Sequence, residues 1–195
     1  MADEVGQVVH EELDAEREAR RQIALAQIRQ YPDPALRMQA RDVEEFDDDL
    51  ARLVERMSRL MVDANGVGLA APQVGVLRRL FVFRRGRDDE EGSEETIVVV
   101  NPRLVAAGEE REPDDEGCLS LQGIQVPVER HPAITLEARD QHGASLELEL
   151  EGFDARIAQH ELDHLDGVLI LDRTTPEARR EALAALRPRA VLRAG

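Results

Sequence analysis

The clearest hydrophobic pattern in the chain lies between residues 46 and 61. Its apolar side chains fall at i, i+4, i+7, i+8, i+11, i+14 and i+15, at Phe46, Leu50, Leu53, Val54, Met57, Leu60 and Met61. This spacing gathers them on one face and predicts an amphipathic helix packed against a core. Asp47–Asp49 suit the positive end of the helix dipole, and Asn65 and Gly66 predict where the helix stops.

Beyond this helix the pattern changes to short runs in which apolar and polar residues often alternate. Such runs, bounded by turn residues or charged segments, predict β-strands. They cover Leu80–Arg84, Thr96–Val100, Gln125–Val128, Ala133–Ala138 and Ser145–Glu151. The last run alternates leucine with glutamate, so one face of that strand is expected to be buried and the other solvated.

Three further helices are expected. A weak apolar stripe over Glu11–Gln30 predicts a helix that ends before the prolines at positions 32 and 34, since proline disfavours helical geometry in the residue before it. A second helix spans about Asp154–Asp166, with Asp154 as its N-cap and Gly167 at its end. A third covers Pro176–Arg187.

The order of these elements predicts an α+β fold, because strands and helices do not alternate as they do in parallel βαβ units. We expect antiparallel or mixed sheets packed around a central helix over about Asp154–Asp166, with an N-terminal helix and a C-terminal tail helix. We divide the chain into an N-terminal helical extension (residues 1–30), a main domain (residues 31–187) and a C-terminal tail (residues 188–195).

Charge and composition narrow the possible partners. The 195-residue chain has 25 basic and 41 acidic residues, a formal net charge of −16, which excludes a generally basic surface for DNA. The acids concentrate in Asp42–Asp49, Asp88–Glu95 and Glu109–Glu116, which we interpret as a solvated helix start and two solvated loops. No apolar run approaches the ~18 residues of a membrane span, and no secretory pattern is visible, so we expect a cytoplasmic protein.

The segment His160-Glu-Leu-Asp-His164 carries the strongest chemical signal. Its H-E-x-x-H spacing lets two histidines one helical turn apart bind one metal ion, with the glutamate beside the open coordination position. Ile157, His160, Glu161 and His164 occupy core-facing positions of the predicted helix, and ionisable groups buried there need a partner. The alternative is a surface helix whose histidines face solvent by chance.

Cys118 is the single cysteine of the chain, so no internal disulfide can form. Two histidines need a third protein ligand to make a catalytic metal site, and Cys118 is the candidate. The alternative is an inert, buried small residue. A zinc endopeptidase with a downstream histidine ligand is excluded, because Ile170 occupies that position.

A third segment, Gly66–Gly75, combines three glycines and two alanines with the polar Gln73. The small residues allow another backbone to come close, and the Gln73 side chain can donate a hydrogen bond to an oxyanion. The spacing fits neither phosphate-binding glycine motif. The alternative is a helix-to-strand turn with a structural glutamine.

Taken together, Gly66–Gln73, Glu116–Ser120 and Gln159–Gly167 resemble the three motifs of the peptide deformylase family, in the same order. The resemblance runs from about Tyr31 to Arg187. It implies a metal-dependent hydrolase that removes the formyl group from the N-terminal formyl-methionine of nascent bacterial polypeptides, with residues 31–187 as its catalytic domain.

The resemblance also implies a role for each matching residue. Cys118, His160 and His164 would bind the metal ion, and Glu161 would be the general base that takes a proton from the attacking water. The Gln73 side chain and the backbone N–H of Leu119 would meet the oxyanion. Gly68, with Val67 and Gly66, would bind the substrate backbone along a strand edge.

The cofactor implied by the resemblance is Fe(II) in cells, with zinc, nickel or cobalt plausible in purified protein. The implied partners are formyl-methionyl nascent chains and the ribosome. Arg173–Gly195 contains six arginines and two glutamates, and we expect this basic segment to touch ribosomal RNA.

Two departures from the family pattern keep an alternative open. Gln122 and Gln125 stand where the family commonly has proline and arginine, whereas Arg130 matches a family arginine. A related amidase acting on another N-formyl or N-acyl substrate would accommodate these changes. A catalytically silent binding protein would lack Glu161 or a metal ligand, and all four residues are present.

Overall fold

The computed structural model describes residues 2–86 and 95–186, with side chains from residue 14 onward. Its helices are α1 (Ala2–Leu25), α2 (Asp48–Asp63), α3 (Gly152–Leu165), α4 (Ile170–Arg173) and α5 (Pro176–Ala185). Its strands are β1 (Gly68–Ala70), β2 (Leu80–Arg85), β3 (Glu95–Ala107), β4 (Glu112–Gly117), β5 (Gln125–Arg130), β6 (Ala133–Arg139) and β7 (Ser145–Glu151). Two 3₁₀ helices cover Pro34–Arg37 and Ala71–Val74.

The strands form two antiparallel sheets, which confirms the predicted α+β class. Five strands follow the order β1-β2-β3-β6-β7, and β4 pairs with β5 in a separate hairpin. Strand β7 begins and ends where the leucine–glutamate alternation predicted. Leu148 and Leu150 are buried while the glutamates beside them are exposed.

Strand β2 lies at the centre of the core because both of its faces are covered. Leu80 and Val82 pack with the apolar face of α2, whereas Phe81 and Phe83 pack on the other side with α3. The N-cap of α2 is Asp47, whose carboxylate accepts a hydrogen bond from the Leu50 N–H at 2.9 Å. The helix predicted from the spacing of apolar residues is therefore present and capped by one of its own acids.

The end of α1 is fixed to this core. Ala24 and Leu25 at the end of the helix, and Ile28 just after it, are buried in the same cluster as α2. The helix ends at Leu25 rather than at Gln30. The side chains of residues 25 and 28 therefore anchor a helix whose residues 14–20 are exposed to solvent.

Three local predictions are wrong, each for a physical reason. Asp154 is not the N-cap of α3, because β7 runs directly into the helix through Gly152 (φ +54°) and Glu151 takes the cap position. Glu109–Glu116 is not a solvated loop, because residues 112–117 pair with β5 as strand β4. Strand β3 continues to Ala107, beyond its apolar run, because β6 supplies backbone partners.

Two predictions fall on parts of the chain outside the described residues. They are the acidic run Asp88–Glu95, of which only Glu95 is described, and the C-terminal tail at residues 188–195. Among the helices of the described ranges, none combines the length and the apolar character that crossing a bilayer requires.

Candidate metal centre

Helix α3 positions three of the predicted site residues on its buried face. His160 and His164 stand one turn apart, with ring centroids 4.9 Å apart, and Glu161 lies beside them with 3 % exposure. The helix stops at Gly167, where φ is +71° and an added Cβ would lie 2.6 Å from the Arg37 carbonyl oxygen. Only glycine fits this turn, so the helix ends at Leu165, one residue after His164, and the chain turns at Gly167.

Cys118 reaches the same place from the hairpin connection between β4 and β5. Its Sγ lies 3.3 Å from Nε2 of His164, and one ligand atom from each of Cys118, His160 and His164 lies within 4.8 Å of the others. Neighbouring donors on a tetrahedral ion are about 3.5 Å apart. Burial lowers the pKa of His164 well below its usual value, so the ring is neutral and can bind a cation. A thiolate and two imidazoles therefore fit a transition-metal ion.

The orientation of His160 is set by Glu116. The Nδ1–H of His160 donates to Oε2 of Glu116 at 3.0 Å, which leaves Nε2 for the metal position. Burial alone would raise the pKa of Glu116, but hydrogen bonds from His160 and Arg130 outweigh it and lower the pKa to about 2. Glu116 is therefore a carboxylate at neutral pH.

Glu116 belongs to a buried charge cluster. Arg130 donates to both Glu116 oxygens at 2.9 and 3.0 Å and to Asp163 at 2.6 Å. Arg156 also donates to Glu116 at 2.9 Å, and Arg173 donates to Asp163 at 2.6 Å. Because each buried charge meets opposite charges with good geometry, the cluster joins β4 and β5 to α3 behind the metal ligands.

Glu161 is a buried carboxyl group whose pKa is raised. Burial raises its pKa to about 7, and its Oε2 has no hydrogen-bond partner among the described residues. The backbone of Gly68 passes directly beside it, so that a Cβ on Gly68 would overlap the carboxylate and lie 2.9 Å from its carbon. A carboxyl group with a pKa near the working pH can both accept and return a proton.

Gln73 is fixed by hydrogen bonds to its own turn. Its Oε1 accepts the Ala70 N–H at 2.8 Å, so its amide N–H groups face the other way. Those groups point towards Cys118 Sγ at 3.7 Å and Ser120 Oγ at 3.1 Å. The Gln73 amide therefore lies beside Cys118, one of the three candidate metal ligands.

One cavity of about 700 Å³ joins these groups to solvent. Its walls include Cys118, Gln73, His160 and Glu161 together with all of the remaining predicted residues except His164, namely Gly66, Val67, Gly68 and Leu119. The cavity also receives two side chains from α1, Arg21 and Leu25. Its size matches that of sites that enclose drug-sized ligands.

A family model described as polypeptide deformylase matches residues 25–180 of this chain. The chain belongs to the polypeptide deformylase family.

Individual deformylases resemble the chain over most of its length. The peptide deformylase of Thermotoga sp. (strain RQ2) is 44 % identical over 152 residues, which cover 78 % of this chain and 88 % of the relative. The chloroplastic/mitochondrial peptide deformylase 1B of Arabidopsis thaliana is 42 % identical over 160 residues, covering 80 % of this chain and 58 % of the relative.

Solved deformylase structures share the fold. The Thermotoga maritima enzyme has a TM-score of 0.71 at 44 % identity, over 76 % of this chain and 97 % of the other. The Synechococcus elongatus enzyme in complex with actinonin has a TM-score of 0.75 at 36 % identity, over 81 % and 85 % of the two chains.

The sequence analysis assigned no role to several residues that support this deformylase site, although two of them lie within the family motifs. Glu116 is part of the acidic run that was interpreted as a solvated loop. Asp163 occupies one of the two positions of H-E-x-x-H at which the motif allows any residue. Gln30 lies between the first helix and the domain, yet its Nε2 donates to the Leu119 carbonyl at 3.0 Å. A glutamate that directly precedes a Gly-Cys motif inside a hydrophilic run is the one signal that could have marked Glu116.

Proposed function

We propose that this protein hydrolyses the N-formyl group of formyl-methionine at the start of nascent polypeptides, releasing formate and a free amino terminus. The observation that carries the proposal is the placement of Glu161. It is a buried carboxyl group with a pKa of about 7, beside a cysteine and two histidines that can hold one metal ion. The cavity above them is open to a peptide.

Glu161 is the proton-transfer group of the reaction. It accepts a proton from the water that attacks the formyl carbon, and it delivers that proton to the amine nitrogen as the C–N bond breaks. Its raised pKa of about 7 allows it both to accept the proton and to donate it again. The contact between Glu161 and the Gly68 backbone holds the carboxylate in place while this exchange occurs.

The formyl oxygen gains negative charge as water adds. The Gln73 amide, oriented by Ala70, supplies one hydrogen bond to it, and the backbone N–H of Leu119 supplies another. Because both donors are in place before the reaction begins, they can stabilise the developing charge without having to rearrange.

Cys118, His160 and His164 hold the metal ion. When bound, the ion supplies Lewis-acid chemistry that makes water more acidic and polarises the formyl group. We propose Fe(II) in cells and zinc, nickel or cobalt in purified samples, since a thiolate with two imidazoles accepts each of them. Metal analysis after strictly anaerobic purification should find iron, and a fully active protein that holds zinc alone would contradict the iron assignment.

Substrate binds along Gly66, Val67 and Gly68. Their small side chains leave the β1 edge accessible from the cavity, so a peptide can add to it as a strand. The close packing of Gly68 on Glu161 leaves a narrow space for the reacting carbon. A formyl carbon, which carries only hydrogen, fits there more easily than an acetyl or peptide carbonyl carbon.

The deciding experiment compares formyl-Met peptides with acetyl-Met peptides, using protein purified and assayed without oxygen. Hydrolysis of the formyl peptides alone supports the proposal. An iron-loaded protein without activity on formyl-Met peptides would overturn it. The relatives named above are all peptide deformylases, so an alternative N-acyl substrate gains no support from them.

We further propose that α3 is the central element of the catalytic domain at residues 31–187. The larger sheet contacts it on one side. The β4–β5 hairpin contacts it through the His160–Glu116 hydrogen bond and through Arg156, which donates to the Val128 carbonyl at 2.9 Å.

The family match at residues 25–180 supports a catalytic domain of about this extent. Residues 1–30 then form an extension and residues 188–195 a tail.

We place the reaction in the cytoplasm, at the ribosome, with the basic C-terminal segment as the ribosomal contact. Ala182 of α5 is buried in the core, so deleting all of residues 176–195 would damage the fold. A better test deletes residues 187–195, which include three arginines. Co-sedimentation with ribosomes at low salt should fall while hydrolysis of short peptides is unchanged. Unchanged co-sedimentation would contradict this contact.

A further inference from the structure

Part of the lining of the catalytic cavity comes from a residue that lies before the region matched by the family model. The matched region begins at residue 25, yet Arg21 of α1 lines the same cavity as Cys118 and Glu161. Arg21 and Leu25 are one helical turn apart and therefore lie on the same face of α1. Because Leu25 is buried in the core, it holds this face against the cavity.

The guanidinium of Arg21 is available to a ligand. Its side chain is 41 % exposed, and its contact with Glu18 is long, at 3.4 Å. The same Glu18 oxygen accepts a much shorter hydrogen bond, 2.6 Å, from Gln22. The contact with Glu18 uses Nη1 of Arg21, and the guanidinium has further N–H groups that can donate to a ligand.

The other arginine in the cavity wall is committed to the protein. Arg156 donates to Glu116 at 2.9 Å, to the Val128 carbonyl at 2.9 Å and to the Glu112 carbonyl at 2.8 Å. Within the described residues, Arg21 is therefore the cation of this cavity that is placed to contact a bound molecule. Arginine pairs with carboxylates through two parallel hydrogen bonds.

The distribution of charge in a formyl peptide indicates which of its groups Arg21 can bind. A formyl group removes the positive charge of the amino terminus, so the charges that vary between substrates lie on downstream side chains. The cavity, at about 700 Å³, holds more than the formyl-methionyl unit. A carboxylate on a later residue is the natural partner of a guanidinium in this wall.

We propose that Arg21 is a specificity-determining residue that binds an acidic side chain of the formyl peptide beyond its first residue. This inference rests on the deformylase function proposed above. The N-terminal helix then takes part in substrate choice, although it contributes no group to the chemistry. This contact gives the enzyme a preference for nascent chains that carry an acidic rather than a basic residue at the contacted position.

The test measures kcat/KM for formyl-Met tetrapeptides with amidated C-termini, so that only side chains carry charge. Asp, Asn or Lys is placed in turn at the second, third and fourth positions. At one position the wild-type enzyme should prefer Asp over Asn by about three- to fivefold and should disfavour Lys, the scale of one exposed ion pair. The preference should shrink in 0.5 M salt, because exposed charges are then screened.

Variants assign the effect to Arg21. Arg21→Gln should abolish the preference for Asp, and Arg21→Glu should reverse it in favour of Lys. Arg20→Gln is the matched control: Arg20 is the neighbour on the same helix, pairs with Glu16 at 3.4 Å and does not line the cavity. It should keep the wild-type preference.

Two results would overturn the inference alone: no charge preference at any position, or the same preference in Arg21→Gln. A neutral formyl-Met-Ala-Ser-Ala amide separates this failure from a failure of the proposed function. If that peptide is hydrolysed while charge makes no difference, only the role of Arg21 is lost. If the iron-loaded enzyme leaves it intact, both proposals are overturned.

Discussion

The side-chain amide of Gln30 donates a hydrogen bond to the backbone carbonyl of Leu119 at 3.0 Å, across 89 positions of sequence. Next to it, the Tyr31 N–H donates to the Ser120 carbonyl at 2.9 Å, and the Arg29 N–H donates to the Gln73 carbonyl at 2.7 Å. The segment that follows α1 therefore ties together the two turns that carry Cys118 and Gln73.

Gln30→Ala should lower kcat by about fivefold with little change in KM, since one hydrogen bond of about 1 kcal/mol holds the Leu119 turn. Gln30→Glu should be at least as harmful, because a carboxylate cannot donate to a carbonyl. Gln27→Ala, at an exposed position of the same segment, is the control. Wild-type kcat in both Gln30 variants would contradict the positioning role.

Glu161→Gln should reduce kcat by about 10²-fold or more, the usual scale of general acid–base catalysis. The amide keeps the shape of the side chain but cannot carry the proton. Since Glu161 is not one of the three ligand residues, metal content measured by elemental analysis should be unchanged. A variant that retains its metal and full activity would remove Glu161 from the mechanism.

Glu116→Gln should weaken metal affinity by about 10- to 100-fold, because Glu116 orients His160. Competition with a chelator measures this affinity directly. The change should also destabilise the fold, since it removes the negative charge that faces the buried Arg130. Glu129→Gln, at an exposed position on β5, should change neither quantity.

Gly68→Ala should lower kcat on the order of 10²-fold, because its methyl group would displace the Glu161 carboxylate. Gly108→Ala is the matched control, since a Cβ there meets no atom within 4 Å. Steady-state kinetics on a formyl-Met peptide distinguish the two variants. Equal activities would show that Glu161 tolerates a larger neighbour.

Asp172 should stabilise the protein in a pH-dependent way. Burial would raise its pKa, but hydrogen bonds from Arg37 and from the Leu169 N–H outweigh burial and lower it. A lowered pKa stabilises the fold above the unfolded value of about 4, and this contribution is lost as pH falls through the folded value. In urea unfolding, Asp172→Asn should therefore be less stable than wild type at pH 7, and the difference in stability should be smaller at pH 3, below the unfolded pKa. An equal gap at both pH values would contradict the ion-pair explanation.

The elements that the sequence predicted well are those with a regular pattern. The spacing from Phe46 to Met61 defines α2, and the leucine–glutamate alternation defines β7, because each follows from which face is buried. The short strand β1 has no such pattern, since all three of its residues are buried. Strand β4 resembles a solvated acidic loop in the sequence, because Glu112–Gly117 has no alternating apolar residues and buries only Glu116.

The proposed metal ligands could be identified in the sequence because metal binding constrains their spacing, as in the helical turn between His160 and His164. The residues that orient these ligands could not be identified from the sequence. Glu116 is buried only because Arg130, Arg156 and His160 surround it, and no local signal records that arrangement. Arg21 likewise becomes a cavity residue through the packing of Leu25.

The hydrogen bond from the Ala70 N–H to Gln73 has a consequence for energetics. It fixes the direction of the Gln73 amide dipole in the folded protein before any substrate enters. The entropy of ordering that side chain is therefore lost once, when the chain folds, and not again at each turnover. In the proposed mechanism, the Gln73 donor is already oriented when substrate arrives, so the activation entropy of the chemical step contains no contribution from orienting it.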